Sequence, residues 1–145
     1  MKNILALILA TGLLVATTAC ETSTSETPLT PDPGASDPLG SWALQSFELN
    51  GGSVVPVPEP VNYTLELSDD GRAHVRADCN VCTGGYELSG SALTFGLMAC
   101  TRAACQPGSL EHDYLEALGS SSTFERTGDM LTLAYADGVL RLQAQ

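Results

Sequence analysis

Basic residues are scarce in this sequence. Six Lys and Arg stand against seventeen Asp and Glu, which gives a formal net charge of −11. Proteins that bind nucleic acid neutralise phosphates with clusters of Lys and Arg, and no such cluster is present here. The charge balance therefore argues against nucleic acid as a partner. The acidic residues are scattered along the chain, which indicates a solubilising surface.

Recognisable catalytic motifs are also lacking. The chain contains no G-x-S-x-G, no H-E-x-x-H and no Gly-rich loop that would cradle a phosphate. Of its two histidines, His74 lies between Ala73 and Val75 and points away from the core if the strand alternates. His112 lies between two acidic residues of a predicted helix and is expected to be exposed. Neither histidine is paired with a nucleophile, so the sequence predicts a protein that is not an enzyme and uses no cofactor.

Long hydrophobic runs are absent except at the start of the chain. The apolar run from Ile4 to Ala16 follows Lys2 and is shorter than the ~20 residues that span a bilayer. A positive residue followed by a short apolar run is typical of a signal peptide. The run is followed by Thr17-Thr18-Ala19-Cys20, which resembles the site at which bacterial lipoproteins are cut before an acylated cysteine.

We therefore expect residues 1–19 to be a lipoprotein signal peptide and Cys20 to carry the lipid, including palmitate or a similar acyl chain. Two or more acyl chains hold a protein stably on a membrane, whereas one holds it weakly. Glu21 stands where an Asp would signal retention at the inner membrane, which favours the outer membrane facing the periplasm. The alternative is an ordinary secretory signal that leaves a free thiol at Cys20.

Residues 21–38 contain almost no apolar side chain and are rich in Ser, Thr and Pro. Such a segment cannot bury enough surface to fold, so residues 20–38 are expected to form a lipidated cysteine and a disordered tether. At ~5–6 Å × √n, eighteen residues reach about 25 Å from the membrane. One small folded domain is then expected over residues 39–145.

Four cysteines remain in that domain: Cys79, Cys82, Cys100 and Cys105. An even number in a small exported domain predicts two disulfides, for which three pairings are possible. The spacing also resembles a four-thiolate zinc site, and C-x-x-C can be a redox motif. Export favours disulfides over zinc. The redox alternative is the least supported, because Gly84 and Gly85 predict a turn after Cys82 rather than a helix.

The rest of the domain is predicted to be short antiparallel strands with one helix. Alternating apolar residues or turn signals place strands at 42–49, 61–67, 73–77, 86–88, 93–95, 123–126, 131–135 and 140–142. Asp137-Gly138 is a strong signal for a two-residue hairpin. About seven or eight strands this short indicate a sandwich or a small barrel.

The helix is predicted between Ser109, as its N-cap, and Gly119, as a left-handed residue after its C-terminus. Acidic residues in its first turn agree with the helix dipole. Its apolar face is formed by Leu110, Tyr114, Ala117 and Leu118.

Several motifs of this region occur together in one known family. They are Ala77-Asp78-Cys79-Asn80, Gly85-Tyr86, Ser89-Gly90-Ser91-Ala92-Leu93-Thr94, Met98-Ala99-Cys100-Thr101, and Leu110-Glu111 with Tyr114-Leu115 and Leu118. In this order, with Trp42 near the start and Leu140 and Leu142 at the end, the chain resembles the META domain, or HslJ-like, family. The resemblance covers most of residues 39–145.

The resemblance implies a mainly β fold: a small, lipocalin-like antiparallel barrel with one short helix packed on it. It also implies no enzymatic activity. Members of the family are associated with the cell envelope, heat shock and tolerance of some antibiotics, and similar barrels occur in small lipoproteins that escort outer-membrane proteins. Many members have fewer cysteines, so four would mark a stapled variant.

Polar residues around the cysteines form the candidate site. Asp78, Asn80, Thr101 and Arg102 could make a recognition patch, or they could cap turns beside the disulfides. The aromatic residues are expected in the core, although they could line a cavity in the mouth of the barrel. They are Trp42, Tyr63, Phe95 and Tyr114.

The sequence thus predicts a monomeric, lipid-anchored envelope protein that binds or supports another envelope protein. One alternative is a carrier or sensor of a small apolar ligand inside the barrel. Another is a protease inhibitor that presents a rigid loop near Cys100 and Cys105.

Overall fold

The computed structural model describes residues 37–145. The expected signal peptide, Cys20 and nearly all of the tether lie outside the described residues. Residues 37–145 form an antiparallel β-barrel closed by eight strands, with one short helix packed against it. The small barrel predicted from the sequence is therefore confirmed. Over these residues, no helix has the length and apolar character needed to cross a membrane.

Ten strands and one α-helix make up the domain. The strands are β1 (Gly40–Leu49), β2 (Val54–Pro56), β3 (Tyr63–Leu67), β4 (Arg72–Ala77), β5 (Asn80–Ser89), β6 (Ala92–Phe95), β7 (Ala99–Cys100), β8 (Thr123–Thr127), β9 (Met130–Tyr135) and β10 (Gly138–Ala144). The helix α1 spans Glu111–Gly119, and a 3-10 turn spans Pro60–Asn62.

The barrel closes because β1 pairs with strands on both of its sides. Its first residues pair with β3, and most of its length pairs with β10, from Trp42 opposite Ala144 to Leu49 opposite Gly138. The ring runs β1, β3, β4, β5, β6, β8, β9, β10 and back to β1. Two short strands lie outside the ring: β2 extends the sheet from β1, and β7 pairs with β5.

The core is formed by strands along which buried residues alternate with more exposed ones. In β4, Ala73, Val75 and Ala77 are buried while the residues between them are exposed, and β3, β9 and β10 follow the same period. Because successive strand residues point to opposite faces, one face of each strand fills the barrel and the other meets water. Helix α1 buries Tyr114, Ala117 and Leu118 in the same cluster.

The barrel has two ends, which we name by their relation to the N-terminal segment. The chain enters β1 at the proximal end, where the turns before β4, β6 and β9 also lie. At the distal end, β1 finishes at Leu49, the turn at Asp78–Cys79 connects β4 to β5, and the chain from Cys100 leads into α1. Ten residues of β1 separate the two ends by about 30 Å, at ~3.3 Å per residue.

Some local predictions are wrong. Gly84 and Gly85 do not form a turn: they lie inside β5. A Cβ on Gly84 would approach the Leu97 carbonyl oxygen to 3.0 Å, so the glycine permits close packing of a neighbouring segment. Val61 belongs to the 3-10 turn and is 65% exposed, so it does not extend β3.

Both helix ends also differ from the prediction. The helix starts at Glu111, and the Ser109 hydroxyl accepts a hydrogen bond from the Glu111 N–H at 3.2 Å. Gly119 is the last helical residue and does not have a positive φ. The Ser120 and Ser121 hydroxyls donate to carbonyls of the last turn instead, which satisfies groups that a left-handed glycine motif would have satisfied.

Candidate functional site

Two disulfides lie at the distal end of the barrel. Cys79 is bonded to Cys105, with Cα atoms 5.4 Å apart, and Cys82 is bonded to Cys100, with Cα atoms 4.1 Å apart. Cys82 and Cys100 are opposite each other in the pairing of β5 with β7. The thiols that a zinc site would need are thus paired with each other. This is one of the three pairings that the sequence allowed.

Residues 100–105, which we call the stapled loop, are held at both ends by these disulfides. Residues 101–104 are all exposed and belong to no helix, strand, turn or bend. Such irregular surface segments are usually mobile. This loop is held from below by a buried side chain.

That side chain is Asn80, which is only 3% exposed. Its Oδ1 accepts hydrogen bonds from the Ala103 N–H at 2.8 Å and from the Thr101 hydroxyl at 3.0 Å. Its Nδ2 donates to the Ala103 carbonyl and to Glu111 Oε1, both at 3.1 Å. An amide offers acceptors on one atom and donors on the other, and Asn80 uses both to fix the loop to α1 and β5.

Thr101 joins the loop to the barrel wall. Its backbone N–H donates to the Val81 carbonyl at 3.0 Å, and its hydroxyl accepts from the Val81 N–H at 3.0 Å while donating to Asn80. The hydroxyl therefore acts as donor and acceptor at once. These bonds continue the strand-like contact between β5 and β7 by one residue beyond the disulfide.

Arg102 is displayed by this framework. Its side chain is exposed, and within residues 37–145 it forms no hydrogen bond or ion pair. The neighbouring Ala103 and Ala104 are exposed and small. The guanidinium therefore projects from a fixed backbone with little beside it to obstruct a partner.

Asp78 lies at the turn between β4 and β5. It has a left-handed φ of 54°, and its N–H donates to the Asn62 carbonyl at 2.7 Å. Asp and Asn tolerate this conformation better than most residues. Asp78 lines a groove of about 370 Å³ with Glu59, Asn62 and the residues that follow Cys105. Of the four patch residues, Asn80 and Thr101 are hydrogen-bonded to each other. Arg102 is exposed on the same loop. Asp78 lies at the neighbouring groove.

A second concave surface lies at the distal end between β1, β2, the β9–β10 turn and α1. Its volume is about 210 Å³, and its walls include Phe47, Leu49, Val55 and Tyr135. Carboxylates of Asp113, Glu116 and Asp137 lie around it. Burial raises the pKa of the Tyr135 hydroxyl, and the charges of Asp137 and Asp113 raise it further.

The predicted core aromatics are largely internal. Trp42, Tyr63 and Tyr114 are at most 5% exposed, whereas Phe95 is half-buried at the edge of the core. Together with the aliphatic residues they fill the barrel with side chains. His74 and His112 are both exposed, as predicted; His112 lies 3.6 Å from Glu116 on the helix surface.

Sequence reasoning missed two parts of this site. Glu111, which accepts a hydrogen bond from Asn80, is predicted from sequence only as an acidic residue of the first helical turn and as part of the Leu110-Glu111 motif, not as part of the site. The concave surface beside α1 was missed because its walls come from β1, β2 and β9, which are distant in sequence. The contact between Asn80 and Glu111 had a signal in the sequence. Asn80 directly follows a disulfide cysteine, and Glu111 is a carboxylate at the start of the next helix.

Comparison with known proteins gives a consistent result for the fold. A model of the META domain family matches residues 38–145. An NMR structure of a protein from Burkholderia xenovorans is 27% identical, covers 81% of this chain and 98% of its own, and has a TM-score of 0.61. A second NMR structure is 25% identical, covers 72% of this chain and 88% of its own, and has a TM-score of 0.54.

A crystal structure of a DUF4847 family protein from Bacteroides vulgatus, 12% identical with a TM-score of 0.52 over 73% of this chain and 92% of its own, shares the fold alone. The comparison with curated proteins found no match. The family model covers all but the first residue of the described chain, in agreement with the motifs from Ala77 to Leu118. The chain belongs to the META domain family.

Proposed function

We propose that this protein is a non-catalytic binding module of the cell envelope, held on the outer membrane by lipid at Cys20, that presents its distal end to another envelope protein. The observation that carries the proposal is the stapled loop. Two disulfides and the buried Asn80 fix an exposed, irregular segment that contributes little to the core.

A rigid exposed loop suits binding for a physical reason. Ordering a mobile loop on association costs free energy, and a loop that is already ordered avoids that cost. The core of the barrel does not need residues 101–104, since their side chains are exposed. The bonds that hold them are therefore best explained by a role outside the domain.

The direction of the chain supports the same proposal. The N-terminal segment joins the barrel at the proximal end, where the Trp42 Nε1–H donates to the Pro38 carbonyl at 2.8 Å. A lipid at Cys20 would therefore tether the protein through this end. The stapled loop and both concave surfaces lie at the opposite end, where the anchor leaves them accessible to other proteins.

The barrel interior gives less support to the carrier of a small apolar ligand. The barrel interior holds the cluster of buried core side chains. The two concave surfaces, of about 210 Å³ and about 370 Å³, lie outside this core at the distal end. Binding through the surface of the distal end therefore fits the structure better than storage inside the barrel.

Site-specific photo-crosslinking in intact cells tests the proposal. A photoreactive residue is placed at Ala104 or Val54, which are exposed at the distal end, and at Glu87, which is exposed on the barrel wall. We expect the distal positions to capture the same protein repeatedly and Glu87 to capture none. Capture from Glu87 alone, or capture of no protein from any position, would contradict the proposal.

A Cys20→Ala variant provides the control for anchoring. It should leave the membrane fraction and lose the distal crosslinks, because the tether no longer holds the domain near its partner. A variant that stays membrane-bound would show that the lipid part of the proposal is wrong.

A further inference from the structure

We infer that the partner of the stapled loop is a serine protease that cleaves after arginine, and that the loop enters its active-site cleft as a substrate would, with Arg102 in the primary specificity pocket. This inference rests on the proposed function, since it names the class of protein that binds the distal end. It places the scissile position at the peptide bond between Arg102 and Ala103.

The loop has the exposure and the free backbone that a protease cleft requires. Proteins that bind a peptide segment by strand-like pairing use its backbone, and pockets for its side chains then give specificity. Residues 101–104 are exposed and lie outside every helix, strand and turn, and Thr101 continues the pairing of β7 with β5. The backbone groups of Arg102 form no hydrogen bond within residues 37–145, so they remain available to a partner.

The residues on both sides of Arg102 are held in place. Thr101 before it is fixed through both its backbone and its hydroxyl, and Ala103 after it is fixed through both its N–H and its carbonyl by Asn80. Arg102 lies between these two fixed residues, and its own groups form no hydrogen bond within residues 37–145.

The disulfides would retain the loop in the cleft even if the peptide bond were cut. A protease releases an ordinary product because the two halves of a cut chain drift apart. Here Cys100 and Cys105 on either side of Arg102 are each bonded to β5 or the turn before it. The hydrogen bonds of Asn80 hold the segment after the scissile bond as well. A loop held in this way stays in the cleft, so it blocks the enzyme rather than being consumed.

The chemistry of the side chain defines the class of enzyme. A guanidinium binds a carboxylate through two parallel hydrogen bonds, and proteases that cleave after Arg place an Asp at the base of the specificity pocket. A hydrophobic pocket would have to desolvate the charge without pairing it. The loop therefore fits an arginine-specific protease and not one selective for large apolar residues.

An inhibition assay on the purified protein, with its N-terminal segment retained, tests the inference. Trypsin, chymotrypsin and elastase serve as probes of arginine, large apolar and small specificity. We expect inhibition of trypsin, and inhibition at least about 100-fold weaker for the other two, since an anchor residue in a specificity pocket dominates binding. Mass spectrometry should recover a chain that is largely intact between Arg102 and Ala103.

Two variants separate a contact role from a structural one. Arg102→Leu should lose about 100-fold or more against trypsin and gain inhibition of chymotrypsin, a switch that loss of structure could not produce. Arg72→Ala is the matched control, because Arg72 is also exposed but lies at the proximal end of β4. It should inhibit trypsin as the unchanged protein does.

Three results would overturn the inference: no inhibition of trypsin by the folded protein, rapid cleavage after Arg102 without inhibition, or equal inhibition of all three enzymes.

The proposed function is tested separately by the crosslinks. If Ala104 captures a protein that is not a protease, the distal binding surface stands and the inference fails. If Ala104 captures nothing in cells but trypsin is inhibited, the inhibitory loop stands and the assigned envelope partner fails.

Discussion

Asn80 shows how one buried polar residue can organise an exposed loop. A carboxylate at this position would offer acceptors only, and an aliphatic residue would offer neither donor nor acceptor. The amide accepts from Thr101 and Ala103 and donates to Ala103 and Glu111. Replacing it would leave several partly buried groups without their partner at the same time, and unpaired polar groups of this kind cost free energy.

We expect Asn80→Ala to lower the free energy of unfolding by about 2–3 kcal/mol, because polar groups facing Asn80 lose their partner. The Ala103 amide should also lose protection from hydrogen exchange. Asn50→Ala is the control, because the amide of Asn50 bonds to the Ala136 carbonyl at an exposed site. It should change stability by less than about 0.5 kcal/mol. Equal effects from the two variants, measured by urea denaturation, would show that Asn80 has no special role.

Tyr114 is the opposite case, a buried polar group without a partner. It is fully buried, and within residues 37–145 its hydroxyl has no hydrogen-bond partner. Its ring packs edge-on against Tyr63, with centroids 6.0 Å apart. Burial raises the pKa of this hydroxyl far above its ordinary value, because the phenolate would have to form inside the core.

Tyr114→Phe should therefore stabilise the protein by about 1 kcal/mol at pH 7, since it keeps the ring and removes an unpaired hydroxyl. Tyr63→Phe should destabilise by a similar amount, because the Tyr63 hydroxyl accepts the Leu110 N–H at 3.0 Å. Urea denaturation of both variants would compare them, and a loss of stability in Tyr114→Phe would contradict this account.

Tyr114→Phe should also change how the free energy of unfolding depends on pH. The raised pKa keeps the Tyr114 hydroxyl protonated in the folded state, whereas the unfolded chain releases this proton above its own pKa, which is about 10 for Tyr, so the free energy of unfolding falls as the pH rises further. The unchanged protein should thus lose stability above about pH 10 more steeply than Tyr114→Phe. Parallel curves between pH 9 and pH 11 would contradict the assignment.

Among the elements, glycines inside strands mark close approach of backbone rather than turns. A Cβ on Gly138 would collide with the Glu48 carbonyl of β1, and Gly138 is the first residue of β10. The hairpin predicted at Asp137-Gly138 does form, but its two turn residues are Ala136 and Asp137. The glycine is needed where the barrel closes.

The paired glycines of β5 allow a matched test. Gly84→Ala should destabilise by about 1–3 kcal/mol, because the new methyl group meets the Leu97 carbonyl and the Met98 side chain at 3.0 Å. Gly85→Ala should cost much less, since its nearest neighbour, the Gly71 carbonyl, lies at 3.8 Å. If thermal unfolding gives equal losses, the close contact of residues 97–98 with β5 is not formed.

The sequence predicted the elements whose pattern is local. Alternation identified β3, β4, β9 and β10, and the 3.6-residue period identified α1 and its buried face. The short strands β2 and β7 were missed, since two or three residues carry no period. Their positions depend on pairing with β1 and β5. Local propensity also predicted a turn at Gly84, whereas this residue lies inside β5 and packs against residues 97–98.

The candidate site was predicted only in part for the same reason. Cys79, Asn80, Thr101 and Arg102 could be named from the chain, but the disulfide pairing and the two-sided bonding of Asn80 depend on contacts 18 to 31 residues apart in sequence. Spacing alone left three pairings open. Only the fold shows that Asn80 and Thr101 support the loop while Arg102 is displayed.

In the molecule as a whole, barrel closure stabilises the fold, and the direction of the chain places the N-terminal segment and the stapled loop at opposite ends. Pairing of β1 with β10 closes the ring and leaves neither strand as an open edge over that length. At the proximal end, Arg126 donates to the Asp37 carbonyl at 2.7 Å and its guanidinium lies 5.0 Å from the centroid of the Trp42 ring. These contacts attach the N-terminal segment far from the stapled loop. The stapled loop and both concave surfaces lie at the opposite, distal end.

The central claim is that an exposed loop is held rigid before any partner binds. Backbone ¹⁵N relaxation of the Arg102 amide tests it most directly, with the exposed turn at Gly51 and Gly52 as an internal comparison. The account predicts an order parameter for Arg102 of about 0.85, as in the core strands. A value below about 0.6, equal to a flexible loop, would contradict it.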